Sequence, residues 1–344
     1  MSVENINQLF GVLHDSTILI QEALEFSYLE ALFETLQNLA DGEVQQIDQR
    51  PSDEEAEQLR EIYSNINLQE FEAEDIRKAI QFAFIEGEKA DQLQANYHMT
   101  PEAIAVLMGY FATKLVDQGH LADKAEDTEI TFFDATMGTG NLYAIIYNAL
   151  KASGYKIQGF GYDNDDLMLS IADVSTRLQD IPANLYLGDS LQNLIVPPSD
   201  LIVGDLPLGY YPVDEVADTY SSAKNREEGQ HAFVHYLMVE QGLRYLKPNG
   251  WGIYIMPAGL VQDENIKTLI EAIGEHGYFQ ALLSLPSNLF NNEKSRKAIL
   301  LVQKAGDKAK QSENVLVGEI PDLKSKEELP KFLGAFENFL EKMK

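Results

Sequence analysis

Between residues 130 and 304, short apolar runs alternate with amphipathic stretches, and few folds accommodate that pattern. The runs are "ITFFDA", "KIQGFGYD", "ANLYLGDS", "SDLIVGDLP", "GWGIYIMPAGL", "YFQALLSLP" and "KAILLVQK". Between them lie "NLYAIIYNALKASG", "LMLSIADVSTRLQD", "HAFVHYLMVEQGLRYL" and "IKTLIEAIGEHG", which carry helical spacing. Strands alternating with helices predict a mostly parallel sheet covered on both faces, a Rossmann-like α/β fold. The last two runs follow each other with no helix between them, which predicts an antiparallel hairpin at the sheet edge. The tail "NVLVGEIPD" and the segment after it read as one more short strand and a C-terminal helix.

Upstream, residues 1–95 read as an acidic helical domain. Ile20, Leu24, Tyr28, Leu32, Leu36 and Leu39 recur at three- and four-residue steps, with Glu22, Glu25, Glu30 and Glu34 between them. That pattern predicts a helical stretch ending at Gly42. Pro51 and Ser52, followed by acids, predict a new helix start. "EAEDIRKAIQFAFIEG" predicts a further helix ending at Gly87. This module reads first as a scaffold packed on the main domain, and otherwise as a docking module for a partner or substrate. The expected division is 1–95 helical, 96–310 the α/β domain, and 311–344 the strand and helix that pack on it.

Three expected strands end in acids. The first ends at Asp134 and runs into a loop with Gly138 and Gly140, then a helix starting near Asn141. Glycines let backbone approach a ligand closely, and a helix N-terminus presents free amides. Tyr143 stands where a dinucleotide fingerprint needs a small residue, so that reading is weak. The second strand ends at Asp163, placed for ribose hydroxyls. The third ends at Asp189 and Ser190, placed to meet a purine edge. A fourth strand runs into Asp205, Leu206, Pro207 and Leu208, with Tyr210 and Tyr211 after it. Ligands in such sheets sit outside the carboxyl ends of the strands.

Composition narrows the partners. Lys and Arg number 26 against 55 Asp and Glu, a net charge of −29. A polyanion is repelled by such a chain unless bases cluster, and the nearest cluster is only Lys294, Arg296 and Lys297. There is no cysteine, which excludes disulfides and a thiolate nucleophile. His231 and His235 lie one turn apart on an expected helix but lack a third ligand, so no metal site is expected. No apolar run is long enough to span a membrane. "MSVENINQLF" has no signal-peptide pattern, so the expected location is the cytoplasm.

These motifs resemble a known family. "DATMGTGNL" resembles the cofactor loop of class I S-adenosylmethionine (AdoMet) dependent methyltransferases. "NYHMTPEAIAVLMGYF" resembles the helix that precedes that loop in adenine-specific DNA methylases, with Thr100 able to cap it. "DLPL" stands where those enzymes carry Asp/Asn-Pro-Pro-aromatic. "LKPNGWGIYIMP" and "LPSNLFNNEKSRKAILLVQK" resemble later segments of the methylation subunits of type I restriction systems. The likeness spans residues 96–304. It implies AdoMet as cofactor, held by Thr100, Asp134, Thr136, Gly138, Gly140, Asn141, Asp163, Asn164, Asp189 and Ser190. It also implies methyl transfer to an exocyclic amine at Asp205, Leu206 and Pro207; Tyr210 or Tyr211 either stands in for the base-stacking ring of that motif or packs the loop after the strand.

Two positions depart from the motif. Leu206 replaces a rigid proline, and Leu208 replaces the stacking aromatic, whose contact with a base is worth roughly 1–3 kcal/mol. Few residues follow Lys304, so a target reader would come from a partner, a specificity or substrate protein, with DNA as the implied substrate. The alternatives are methylation of a protein or RNA nitrogen, and a non-catalytic AdoMet-binding scaffold.

Overall fold

Capping chemistry decides where the N-terminal helices begin. A computed structural model of the chain describes residues 2–117, 129–224, 226, 229–259, 266–290 and 295–343. Helix α1 (Val3–Leu24) starts on Ser2, whose hydroxyl accepts the Asn5 N–H. Helices α2 (Tyr28–Asp41) and α3 (Asp53–Tyr63) each open on a reciprocal cap, Ser27 with Glu30 and Ser52 with Glu55. Such caps take up backbone donors that a first turn leaves without partners. The start expected at Pro51 and Ser52 is therefore found. The single stretch expected through Ile20 and Leu39 is instead two helices, because Glu25 turns left-handed at φ 59° and Ser27 restarts the chain. Hydrophobic spacing alone does not register so short a turn.

Helix α4 (Ala73–Ala90) runs three residues past Gly87, the expected stop. Gly87 is instead a point of close packing: a Cβ there would lie 2.4 Å from Leu29 Cδ2. Just beyond α4, Asp91 accepts the Tyr28 and Leu29 N–H groups, each at 2.9 Å, and caps α2 from outside.

Two compact units make up the chain. The first combines Met1–Thr100, Met137–Ala144 and Asp163–Leu187. Its core joins Leu9, Leu32, Leu36 and Phe84 to Met168, Ile171 and Val174 of α7 (Asp166–Leu178). Burying each such side chain contributes roughly 1.5–3 kcal/mol. The compact unit thus extends beyond residues 1–95 and takes in two later stretches.

The second unit combines Pro101–Thr136, Ile145–Tyr162 and Gly188–Lys344. The chain's strands are β1 (Glu129–Asp134), β2 (Lys156–Asp163), β3 (Asn184–Leu187), β4 (Ser199–Asp205), β5 (Leu246–Pro257), β6 (Gly277–Ser284), β7 (Lys297–Lys304) and β8 (Leu316–Glu319), of which β3 falls in the first unit. Their order in the sheet is β3-β2-β1-β4-β5-β7-β6-β8. β1 runs parallel to β2 and β4, and β4 parallel to β5. β7 is antiparallel to both β5 and β6, so the expected hairpin forms. β8 adds outside it, parallel to β6. The middles of β1, β4, β5 and β7 are buried throughout, as a sheet covered on both faces requires.

Register places the strand ends. Asp134 pairs with Gly161 on β2 and with Val203 on β4. β2 and β4 each run two residues further, to Asp163 and Asp205. Helix α5 (Glu102–Leu115) precedes β1, and between later strands lie α6 (Asn141–Ala152), α7, α8 (Asp214–Ala217), α9 (Val234–Tyr245) and α10 (Ile266–His276). Pro101 holds the N-cap position of α5, so the helix starts one residue later than a Thr100 cap would give. The C-terminal α11 (Glu328–Lys342) packs Phe336 on Phe111 of α5, with ring centroids 4.4 Å apart. His231 precedes α9 rather than sharing it with His235, and its Nδ1 lies 3.1 Å from an Asp214 oxygen. Among the described residues no group of His, Cys, Asp and Glu is arranged to hold a metal. No described helix is long and apolar enough to cross a membrane.

Candidate active site

In the first unit the glycine loop is built against Asp163. Gly138 (φ 50°) and Gly140 (φ 77°) both take left-handed backbone, which disfavours any residue with a Cβ. A Cβ on Gly138 would meet nothing within 4 Å, so its Cα faces open space. A Cβ on Gly140 would lie 3.3 Å from Ala172 Cβ on α7. The Gly138 N–H donates to Asp163 Oδ2 at 2.7 Å, and the Asp165 N–H donates to Oδ1 at 3.0 Å. Burial pushes the Asp163 carboxyl above the ordinary carboxylate range, and these backbone donors oppose the shift. A carboxylate offers about four acceptor sites, so the two bonds leave capacity for hydroxyl donors. Asn164 is exposed, and Asp165 caps α7 by accepting the Met168 N–H.

Arg77 fixes the start of α6, and sequence reasoning missed it. It is 2% exposed on α4 and grips Glu74 with Nε at 2.8 Å and Nη2 at 2.6 Å. Its Nη1 donates to Asn141 Oδ1 at 2.7 Å. A guanidinium only donates, so the Asn141 oxygen must face it, which turns Nδ2 the other way. That Nδ2 is buried and has no partner among the described residues. Arg77→Ala should lower stability by about 1–3 kcal/mol, the penalty for stranding a buried polar partner. Thermal melting read alongside AdoMet affinity checks this, and both should fall.

The second unit supplies the other expected residues. Asp134 is fully buried at the end of β1, and its Oδ1 accepts the Thr136 N–H at 3.0 Å. Thr136 packs over Gly204 of β4, where a Cβ would come within 2.8 Å of Oγ1. Ser190 donates to the Ala135 carbonyl at 2.7 Å. Asp189 lies two residues past the end of β3, in a loop. Its Oδ1 accepts the Leu191 N–H at 2.9 Å and its Oδ2 accepts the Tyr211 hydroxyl at 2.5 Å. Gln241 of α9 clamps the same loop by donating to the Ser190 and Gln192 carbonyls. No local spacing marks Gln241 or Arg77, because each acts on a partner tens of residues away.

The strand end at β4 is held from two sides. Asp205 Oδ1 lies 2.6 Å from Lys297 Nζ, at the start of β7. Leu206 is 1% exposed, and its N–H donates to the Ile255 carbonyl at 3.0 Å. That bond extends the β4–β5 ladder by one residue and fixes a peptide that a proline would otherwise stiffen. A proline here could not make it. Pro207 is partly exposed, and Leu208 is exposed. Gly209, at φ 122°, then turns the chain. The two tyrosines take different places. Tyr211 is buried with its hydroxyl on Asp189, and burial foremost pushes its pKa up. Tyr210 is 61% exposed and stacks on Phe233, with centroids 5.0 Å apart and rings at 20°. Of the expected basic cluster, Lys294 lies outside the described residues, Arg296 pairs with Glu319, and Lys297 pairs with Asp205.

Comparison with known proteins places the chain in a family. The family model of the N-6 DNA methylases matches residues 98–335. The chain belongs to the N-6 DNA methylase family. A second model, for the YtxK N-terminal helical domain, matches residues 7–87. This N-6 DNA methylase family member is 30% identical over 344 residues to the uncharacterized protein YtxK of Bacillus subtilis, covering all of both chains. A Listeria monocytogenes protein assigned to the class I S-adenosylmethionine-dependent methyltransferases (lmo1582) is 33% identical with a TM-score of 0.88. That match covers 98% of this chain and 100% of the other. The methyltransferase subunit of a type I restriction-modification system from Streptococcus thermophilus shares the fold, with a TM-score of 0.65 at 16% identity, over 93% of this chain and 73% of that one. The chain is accordingly a class I methyltransferase, and its cofactor is AdoMet. The residues present fit that group. The first unit offers a glycine Cα open on one side, a carboxylate with spare acceptor capacity, and a buried amide donor without a partner.

Proposed function

We propose that this chain methylates a planar, conjugated nitrogen, and that a partner supplies the target. The observation that carries this reading is the strand end at Asp205 and Leu206, where a carboxylate and a fixed peptide stand side by side. An exocyclic amine is a poor nucleophile because its lone pair is delocalised. Asp205 accepts one of its hydrogens, and the Leu206 carbonyl accepts the other. Accepting both draws the nitrogen toward tetrahedral geometry and localises the lone pair. Positioning and preorganised charge do this work, with no strong base required. When bound, the cofactor supplies an electrophilic methyl group on sulfur. Asp205 would take the proton that the nitrogen sheds on accepting that methyl. Asp163 would hold ribose hydroxyls, the glycine loop with Asp134, Thr136 and Asn141 the methionyl part, and Asp189 with Ser190 the adenine side. Thr100 and Asn164 complete that set. Tyr211 acts through Asp189, and Tyr210 on Phe233 is the ring offered to a planar substrate.

A second reading places the nitrogen in a protein. The cations of the loop after β4 are engaged by acids: Arg226 pairs with Asp218 and Asp214, and Lys224 with Glu275. Such pairing, with a net charge of −29, leaves little to attract phosphates. Incubation of the chain with methyl-labelled AdoMet and whole host extract, followed by separation of DNA, RNA and protein, tests both readings. Label in a nucleobase of DNA or RNA supports the first and label in protein supports the second. No label in any fraction, with AdoMet binding intact, sinks both.

Lys297 is a positioning residue in this scheme. Its ammonium holds Asp205 Oδ1, so the carboxylate cannot rotate freely. Lys297→Met should lower kcat about tenfold, the worth of one charge-assisted hydrogen bond. AdoMet affinity should stay unchanged. Lys297→Arg should restore part of the rate, and Lys297→Met should have no further effect on an Asp205→Asn background. Equal loss on both backgrounds would mean Lys297 serves the fold alone.

A further inference from the structure

The helical unit carries a groove that the methyl-transfer chemistry does not use. It runs along α1 and α3. On α1, Asp15, Ile18, Leu19 and Glu22 recur at steps of three and four, and across from them stand Glu61 and Ile62 of α3. At this spacing the residues share one helix face. The apolar side chains are half-buried and form the floor, while the acids are exposed on the rim. Beneath the floor, Ile20, Ala31 and Leu59 form a small core against which Leu19 packs. Gln8 of α1 donates to the Asn65 carbonyl at 3.1 Å, which fastens the stretch after α3 to α1. Two helices with parallel stripes of this kind make the seat for a third.

Charge selects the occupant. Residues 1–95 hold 21 acids against five bases. Asp15, Glu22 and Glu61 make no ion pair with any described residue. Like charges facing one groove repel each other, and a cationic partner relieves that repulsion while covering the apolar floor. A nucleic acid is repelled outright. A second copy of this chain would bring mostly further acid. We infer that the α1–α3 groove is a docking site for a cationic amphipathic helix of a partner protein, with apolar residues at i, i+3, i+4 and i+7 flanked by Lys or Arg. Helix-in-groove recognition of this type reads the apolar anchors for affinity and the rim charges for choice of partner.

The probe is a fluorescein-labelled synthetic 18-residue helix with leucines at those four spacings and lysines beside them. A control peptide carries glutamate at every lysine position. Anisotropy titrations use the full-length chain. The lysine peptide should bind in the micromolar range at physiological salt, and the glutamate peptide should not bind. Glu22→Lys with Glu61→Lys should weaken binding at least tenfold. Glu43→Lys with Glu70→Lys, the same charge change on exposed sites outside the groove, should weaken it less than twofold. Melting curves confirm that both variants fold. Absence of binding, an equal response of the two double variants, or binding of the glutamate peptide would overturn the inference. Sedimentation provides a further check: a dimer that Glu22→Lys with Glu61→Lys dissociates would mean that a second copy fills the groove, which also overturns it.

Discussion

Asp205→Ala should lower methyl transfer about 10²–10³-fold, the range for removing one preorganised hydrogen-bonding group from a reacting centre. AdoMet affinity should change less than twofold. Asp205 ends β4 beside Ile255 of β5, and its side chain accepts from Lys297. Without its acid, Lys297 can still turn to water, because its side chain is 27% exposed. The fold should therefore survive, with the melting temperature little changed. Asp205→Asn keeps one acceptor oxygen and should retain part of the rate. Initial rates with labelled cofactor and calorimetric AdoMet titrations separate the outcomes. If the alanine variant loses cofactor binding instead, Asp205 belongs to the cofactor's surroundings and the proposed chemistry is misplaced.

The second large effect concerns Asp163. Asp163→Ala should weaken AdoMet binding by roughly 10- to 150-fold, which corresponds to about 1.5–3 kcal/mol for hydrogen bonds to a charged group. The loss has two parts. The carboxylate no longer receives ribose hydroxyls, and the N–H groups of Gly138 and Asp165 lose their acceptor. Burial already opposes the charge on this carboxyl, so donors arriving with the cofactor stabilise a form that folding alone disfavours. Asp163→Asn still offers one oxygen to the Gly138 N–H and should fall between the two. Unchanged affinity in the alanine variant would mean that the end of β2 does not meet the cofactor.

How much of this was legible in the sequence depended on the range of the interaction. Strand ends at Asp134, Asp163 and Asp205 were readable because an apolar run stops on an acid, and both signals are local. The helix starts at Ser52 and Asn141 were readable for the same reason. Gly87 was misread, since a glycine that ends a helix and one that admits Leu29 look alike along the chain. The turn at Glu25 to Ser27 hid inside an unbroken hydrophobic rhythm, although Ser27 and Glu30 do spell a capping box. The partners of Arg77, Gln241, Lys297 and Phe233 left no trace. Each is one side chain whose partner lies far along the chain, and a pair separated in this way has no period. The Leu206 substitution was legible as a departure, but its compensation by the Ile255 carbonyl was not.

The first unit draws its core from residues that the ribosome delivers at different times. Leu32, Leu36 and Phe84 are complete well before Met168, Ile171 and Val174 of α7 are made. At roughly 5–20 residues per second, the earlier helices wait several seconds with that face uncovered. During this interval the nascent chain presents an oily surface inside a strongly anionic segment, and the mutual repulsion of those segments keeps neighbouring chains on a polysome apart. The acidity of residues 1–95 thus sets like charge around a core whose last helix, α7, is made late.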